Sequence, residues 1–258
     1  MLNFQQDHDY TVFFDPLQSK IDKRFQPEKA EDIMQFSKSY LNSSAAYELI
    51  NKRPDDLYGE LISTWQFLEG FDNQVKIRVF NPSIEIDGWQ SSHTIVEVLS
   101  LDMPFLVDSV RQTIISSHIA IHSVINTVLC VKRDSNGRVC VQPRSKAHNG
   151  DFRKEAIIHL EIGRISNPER INTLQNDLSS LLQELTHAVE DFPSMLQKTA
   201  DIREELDNAY SKFDSDVVSE AQEFITWLTY DRFTFFGFKE YSFSAEDKTY
   251  TPLVGSEL

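Results

Sequence analysis

Asp102-Met103-Pro104-Phe105-Leu106-Val107-Asp108-Ser109-Val110 joins an apolar strand to an amphipathic helix through a turn that is both acidic and marked by proline. Upstream, His93 to Ser100 carries Ile95, Val96, Val98 and Leu99, the β-branched and aliphatic residues that a mostly buried strand requires. Downstream, Leu106, Val110 and Ile114 recur at helical spacing. Pro104 has no N–H to lose in a first helical turn, and Asp102 is placed to accept hydrogen bonds from the free amides of that turn. The stretch reads as strand, acidic cap and helix, the kind of junction at which small domains bind small molecules.

Working outward, a long strand is expected over Ile119 to Lys132, a turn at Asn136-Gly137, a short strand Arg138 to Gln142 and a polar loop through Asp151. Glu155 to Arg164 alternates Ile158, Leu160 and Ile162 with His159 and Glu161, the pattern of a strand. Asn167-Pro168-Glu169 opens a helix whose Ile171, Leu174, Leu178, Leu181, Leu185 and Val189 form an apolar stripe. The order β-α-β-β-α begins a ferredoxin-like fold with a four-stranded antiparallel sheet. Its fourth strand is either Val75 to Phe80 or Phe233 to Phe243, because Pro193 starts another helix. Before the sheet, Pro27 and Pro54 open two helices that form a hairpin, and the first two dozen residues, with Tyr10, Val12, Phe13 and Phe14 but no sustained period, read as an arm. Asp214-Ser215-Asp216 caps a last helix. The expected divisions are an arm and helical hairpin over 1–72, an α+β domain over 73–192, and helices with the start of a further β element over 193–258.

The 258 residues include 40% hydrophobic and 11% aromatic residues, enough for a core, and a formal charge of −15 argues against a nucleic-acid partner. No apolar run reaches membrane-spanning length and the N-terminus lacks the order of a signal peptide, so a cytoplasmic chain is expected. Cys130 and Cys140 read as small buried residues that lie near one another across a hairpin without a disulfide. The eight glycines never occur as Gly-x-Gly, so neither a dinucleotide fingerprint nor a phosphate-cradling loop is present. No catalytic, cofactor or metal residue is assigned. His118 and His122 sit in separate environments, and His93 and His159 are expected to face one another across a sheet as a hydrogen-bonded or exposed pair. Asp102 and Asp108 are explained as a cap and a first-turn acid rather than a catalytic pair. Phe233, Phe235, Phe236 and Phe238 read as a core cluster.

The 102–110 junction resembles that of ACT domains, small ferredoxin-like modules that often sense amino acids. Together with Phe224-Ile-Thr-Trp-Leu-Thr-Tyr-Asp-Arg-Phe-Thr-Phe-Phe-Gly-Phe-Lys-Glu-Tyr241, it resembles the N-terminal region of the very large bacterial NAD-dependent glutamate dehydrogenases. The resemblance implies a non-catalytic regulatory and assembly region, with NAD used only by its parent, and with self-association or the rest of the parent chain as partner. A free-standing amino-acid sensor is the alternative. It also implies a ligand loop at Asp102, Met103, Pro104, Phe105 and Leu106, whose backbone N–H groups face an amino-acid carboxylate. A glycine commonly follows the proline in ACT loops. Here Phe105 stands there, which favours packing or oligomerisation over ligand binding.

Overall fold

A computed structural model describes residues 7–43, 52–72, 74–134, 138–142, 152–211, 213–230 and 234–255. The chain forms two compact units, Met1–Gln183 and Glu184–Leu258. The first holds helices α1 (Asp7–Arg24), α2 (Pro27–Asn42) and α3 (Pro54–Glu69), strand β1 (Lys76–Phe80), the one-turn helix α4 (Ile84–Asp87), and β2 (Thr94–Leu101). It continues with α5 (Leu106–Ser116), β3 (Ile121–Arg133), β4 (Val139–Gln142), β5 (Arg153–Ile162) and the beginning of α6 (Pro168–Asp207).

The sheet is antiparallel throughout, in the order β1-β2-β5-β3-β4. The strand missing from the β-α-β-β-α series is thus β1, which comes before the series in sequence and pairs with β2 so that Arg78 stands opposite Glu97. There are five strands rather than four, because β4 turns back on β3. Arg138 closes that hairpin, its N–H donating to Asp134 Oδ1 at 2.9 Å and its carbonyl accepting from Asp134 N–H at 3.1 Å. Asn136 and Gly137 lie outside the described residues. Lys132 is opposite Cys140 and Gln142 opposite Cys130, and both thiols are free.

Every residue of β2 except the last is buried, so both faces of that strand are covered. Side chains alternate between faces with period two. Leu99, Ile125, Leu129 and Ile157 pack in one cluster with Phe36, Tyr40, Leu61, Trp65 and Phe67 of α2 and α3. Each large side chain buried there contributes about 1.5–3 kcal/mol. The other parity, Val96, Val98, Ile158 and Leu160, is buried as well, and so are Leu106, Val110 and Ile114 of α5 and Leu174 and Leu178 of α6. Gln175 Oε1 of α6 accepts from Val79 N–H at 3.1 Å, satisfying an amide of β1.

Several expectations are corrected. The N-terminal stretch is a helix, not an arm, and its Phe14, Leu17 and Ile21 are buried in the same cluster as α2 and α3. Helix α6 runs unbroken through Pro193. A proline inside a helix removes one backbone hydrogen bond, a cost that a long helix can absorb. The buried line near its start uses Leu182 in place of Leu181, both of which follow Leu178 at helical spacing. In the second unit α7 (Ser215–Thr229) is capped as expected, Asp214 Oδ1 accepting from Asp216 N–H at 3.0 Å. The aromatic stretch after it is not a strand: residues 234–240 have no regular structure, and the hairpin is β6 (Tyr241–Ser244) with β7 (Thr249–Pro252). Nor is it a core cluster, since Phe236 is exposed and Phe235 only half-buried. Phe233 lies outside the described residues.

Candidate functional site

A fully buried carboxylate lies in the middle of the sheet. Glu97 belongs to β2, at the parity that faces α3, where an apolar residue would otherwise sit. An isolated buried charge is costly, and its partners come from three other elements. Arg78 of β1 pairs with Oε2, while Thr64 Oγ1 of α3 at 2.7 Å and His159 Nδ1 of β5 at 3.1 Å meet Oε1. Burial alone would push the Glu97 carboxyl upward. The His159 hydrogen bond and the Arg78 charge outweigh it and bring the carboxyl down to about 2. Arg78 Nη2 also donates to the Ser63 carbonyl at 3.1 Å and to Ser63 Oγ at 3.0 Å.

The polar network continues from His159 toward the surface. Its Nε2 is buried without a hydrogen-bond partner among the described residues and lies 3.8 Å from Glu60 Oε1. Glu60, buried on α3, accepts from the Tyr40 hydroxyl at 3.0 Å. Burial, with the Glu60 charge beside it, drives the Tyr40 phenol well above its usual range. Lys52 Nζ bridges Glu60 Oε2 at 2.5 Å and Glu161 Oε1 at 2.7 Å. Burial works against the Lys52 ammonium, but the two carboxylates prevail and raise its pKa; likewise burial opposes Glu161, and Lys52 prevails and lowers it. Glu161 Oε2 lies 3.1 Å from His93 Nδ1, and the His93 ring stands 4.4 Å from that of His122.

Lys52, Glu60, Glu161, His93 and His122 line an open cleft of about 860 Å³, together with Trp89, Arg164 and neighbouring polar residues. Gly59 makes one wall possible. A Cβ there would lie 2.5 Å from Trp89 Cβ and 2.9 Å from the Gly88 carbonyl, so only glycine lets that segment close against α3. The cleft therefore joins a wet, mixed-charge surface to buried acid and imidazole groups, an arrangement suited to holding a cation or a proton rather than to an obvious covalent reaction.

The expected pairing of His93 with His159 is corrected, because β2 begins at Thr94 and residue 159 stands opposite Glu97. His118 adopts a left-handed backbone in the turn before β3, away from the helical geometry that would align it with His122. In the loop after β2, Asp102 N–H donates to the Lys154 carbonyl at 3.0 Å. Helix α5 begins at Leu106 with Phe105 as its N-cap and no side-chain cap bond, so Asp102 is not the cap and Pro104 precedes the first turn. Asp102, Pro104 and Phe105 are exposed, Met103 is half-buried and Leu106 is buried. Phe105 has φ +65°, the conformation that glycine adopts at no steric cost. Sequence reading missed Glu60, Glu97 and Lys52. The available signal was Glu97, an acid inside an otherwise apolar strand.

The family model described as "Glutamate dehydrogenase, ACT1 domain" matches residues 36–178. The chain is 35% identical over 243 residues to the NAD-specific glutamate dehydrogenase of Halomonas elongata, covering 93% of this chain and 15% of that protein. It is 34% identical over 212 residues to the NAD-specific glutamate dehydrogenase of Pseudomonas aeruginosa, covering 82% of this chain and 13% of that protein. No helix among the described residues is long and apolar enough to cross a membrane.

Proposed function

We propose, from the premise that this chain belongs to the ACT1-domain family of glutamate dehydrogenases, that it is a non-catalytic regulatory and assembly region of an NAD-dependent enzyme. The parent would oxidatively deaminate L-glutamate to 2-oxoglutarate in the cytoplasm. The observation that carries this reading is the disparity of coverage: most of this chain aligns with a small fraction of each relative. The absence of Gly-x-Gly from the sequence supports assigning NAD to another part of the parent.

The partner is a second copy or another part of the parent. Within the second unit, Phe224 and Trp227 of α7 stack at 6.1 Å yet are 56% and 46% exposed. Among the described side chains of that helix only Val218 is buried. Apolar surface of this kind favours association, and a two-fold dimer is the default for identical copies. An amino-acid effector would meet the loop Asp102, Met103, Pro104, Phe105 and Leu106, with Phe105 restricting its approach to the backbone.

Sedimentation velocity over a wide concentration range tests the assembly role. A dimer that dissociates in the Trp227→Glu variant is the expected result. A strictly monomeric chain that also fails to bind the remainder of the parent would overturn it. Calorimetry with NAD should give no heat and a glutamate oxidation assay no product; turnover by the pure chain would refute the non-catalytic assignment.

A further inference from the structure

Glu60 of α3 and His159 and Glu161 of β5 each offer one ligand atom to a common locus, and the three atoms lie within 4.8 Å of one another. The acids alone would be unremarkable as a site. The second observation is His159 Nε2, buried, without a hydrogen-bond partner among the described residues, and facing Glu60. Its other nitrogen, Nδ1, is engaged by Glu97 Oε1 at 3.1 Å, so Nε2 is the nitrogen left to face Glu60. A histidine held by a carboxylate on one nitrogen while the other is bare is the form that binds metal. The Tyr40 hydroxyl orients Glu60 in the same outer layer.

Charge points the same way. Glu60, Glu97 and Glu161 are three buried or largely buried carboxylates, and Arg78 and Lys52 are the two permanent cations paired with them. The acids outnumber these paired cations three to two. Exchanging the Lys52 ammonium for a divalent ion would add one positive charge beside Glu60 and Glu161. The Lys52 side chain is 20% exposed, and it shares the cleft with Glu60 and Glu161, so it can withdraw to solvent and an ion can enter by the same route.

We propose that Glu60, His159 and Glu161 bind a first-row divalent cation, with Lys52 as its tethered competitor. One imidazole and two carboxylates suit Zn2+ better than Mg2+, which favours all-oxygen octahedral sites. Bound there, the ion would tie α3 to β5. The proposal does not depend on the regulatory role proposed above.

Calorimetric titration of the 258-residue chain with zinc chloride, with magnesium as control, tests it. The expected result is one zinc equivalent, at least ten-fold tighter binding in Lys52→Met, and at least ten-fold weaker binding in Glu161→Gln. Because His159→Asn and Glu60→Gln also disturb buried hydrogen bonds to Glu97 and Tyr40, ring-nitrogen NMR of the unmutated protein provides the second readout: zinc should shift His159 Nε2. His93 and His122 could capture zinc at the rim instead. No zinc binding, binding indifferent to Lys52→Met, or zinc loss in His122→Ala with His159 unshifted would each overturn the proposal.

Discussion

Replacing Arg78 with Met should destabilise the first unit by about 2–4 kcal/mol at pH 7, because it strands a buried carboxylate while keeping the apolar bulk beside Phe67 and Phe80. Burial favours the neutral form of Glu97, but its His159 hydrogen bond and the Arg78 charge reduce its pKa from 4.5 to about 2. That drop corresponds to about 3 kcal/mol of stabilisation at neutral pH. Arg78 supplies part of it, and its two bonds to Ser63 add about 1 kcal/mol each at most. His159 and Thr64 remain in the variant, which keeps the loss below that of a fully unpaired charge. The sign is set by linkage: a depressed carboxylate stabilises above its unfolded value of 4.5, and the contribution disappears as pH falls toward about 2. The wild-type advantage should therefore hold from pH 7 to 4.5 and narrow below it. Urea denaturation midpoints across that range measure the gap. A cost under about 1 kcal/mol at pH 7, or a gap that stays constant through pH 3, would refute this account of Glu97.

Arg133→Met should cost less, about 2–3 kcal/mol by urea denaturation, because Glu155 retains Arg153 at 2.6 Å. What is lost is the Glu155 pairing at 2.7 and 2.9 Å and the donation to the Leu68 and Glu69 carbonyls at the end of α3; no measurable loss would show that the helix end does not need that cation. Asp102→Ala should change the midpoint by no more than about 0.5 kcal/mol, since the exposed side chain caps nothing, and a loss near 2 kcal/mol would restore it as a cap. Phe105→Gly should be nearly neutral, with relief of about 1–2 kcal/mol of left-handed strain offset by glycine's chain entropy and lost ring contact. Phe105→Val should cost more than about 1 kcal/mol at the same position, and equal stabilities of the two variants would refute the strain argument.

The periodicities of Pro27–Asn42 and Pro54–Glu69, the strand at Thr94–Leu101 and the helix start at Asn167 were legible locally, because each depends on neighbours within a turn or a pleat. So was the family resemblance carried by residues 102–110, which lie inside the matched region. The strand that completes the sheet was not, because Val75 to Phe80 and Phe233 to Phe243 offered similar local patterns and only pairing with β2 separates them. The site was hidden for a related reason. His159 and Glu161 alternate with Ile158, Leu160 and Ile162 just as solvent-facing residues would. Sequence determined which side chains share a face of the strand. That this face is buried beneath α2 and α3, so that Glu97, His159 and Glu60 must satisfy one another, was decided by packing of segments far apart in the chain, and alternation cannot distinguish water from a polar layer of the protein itself.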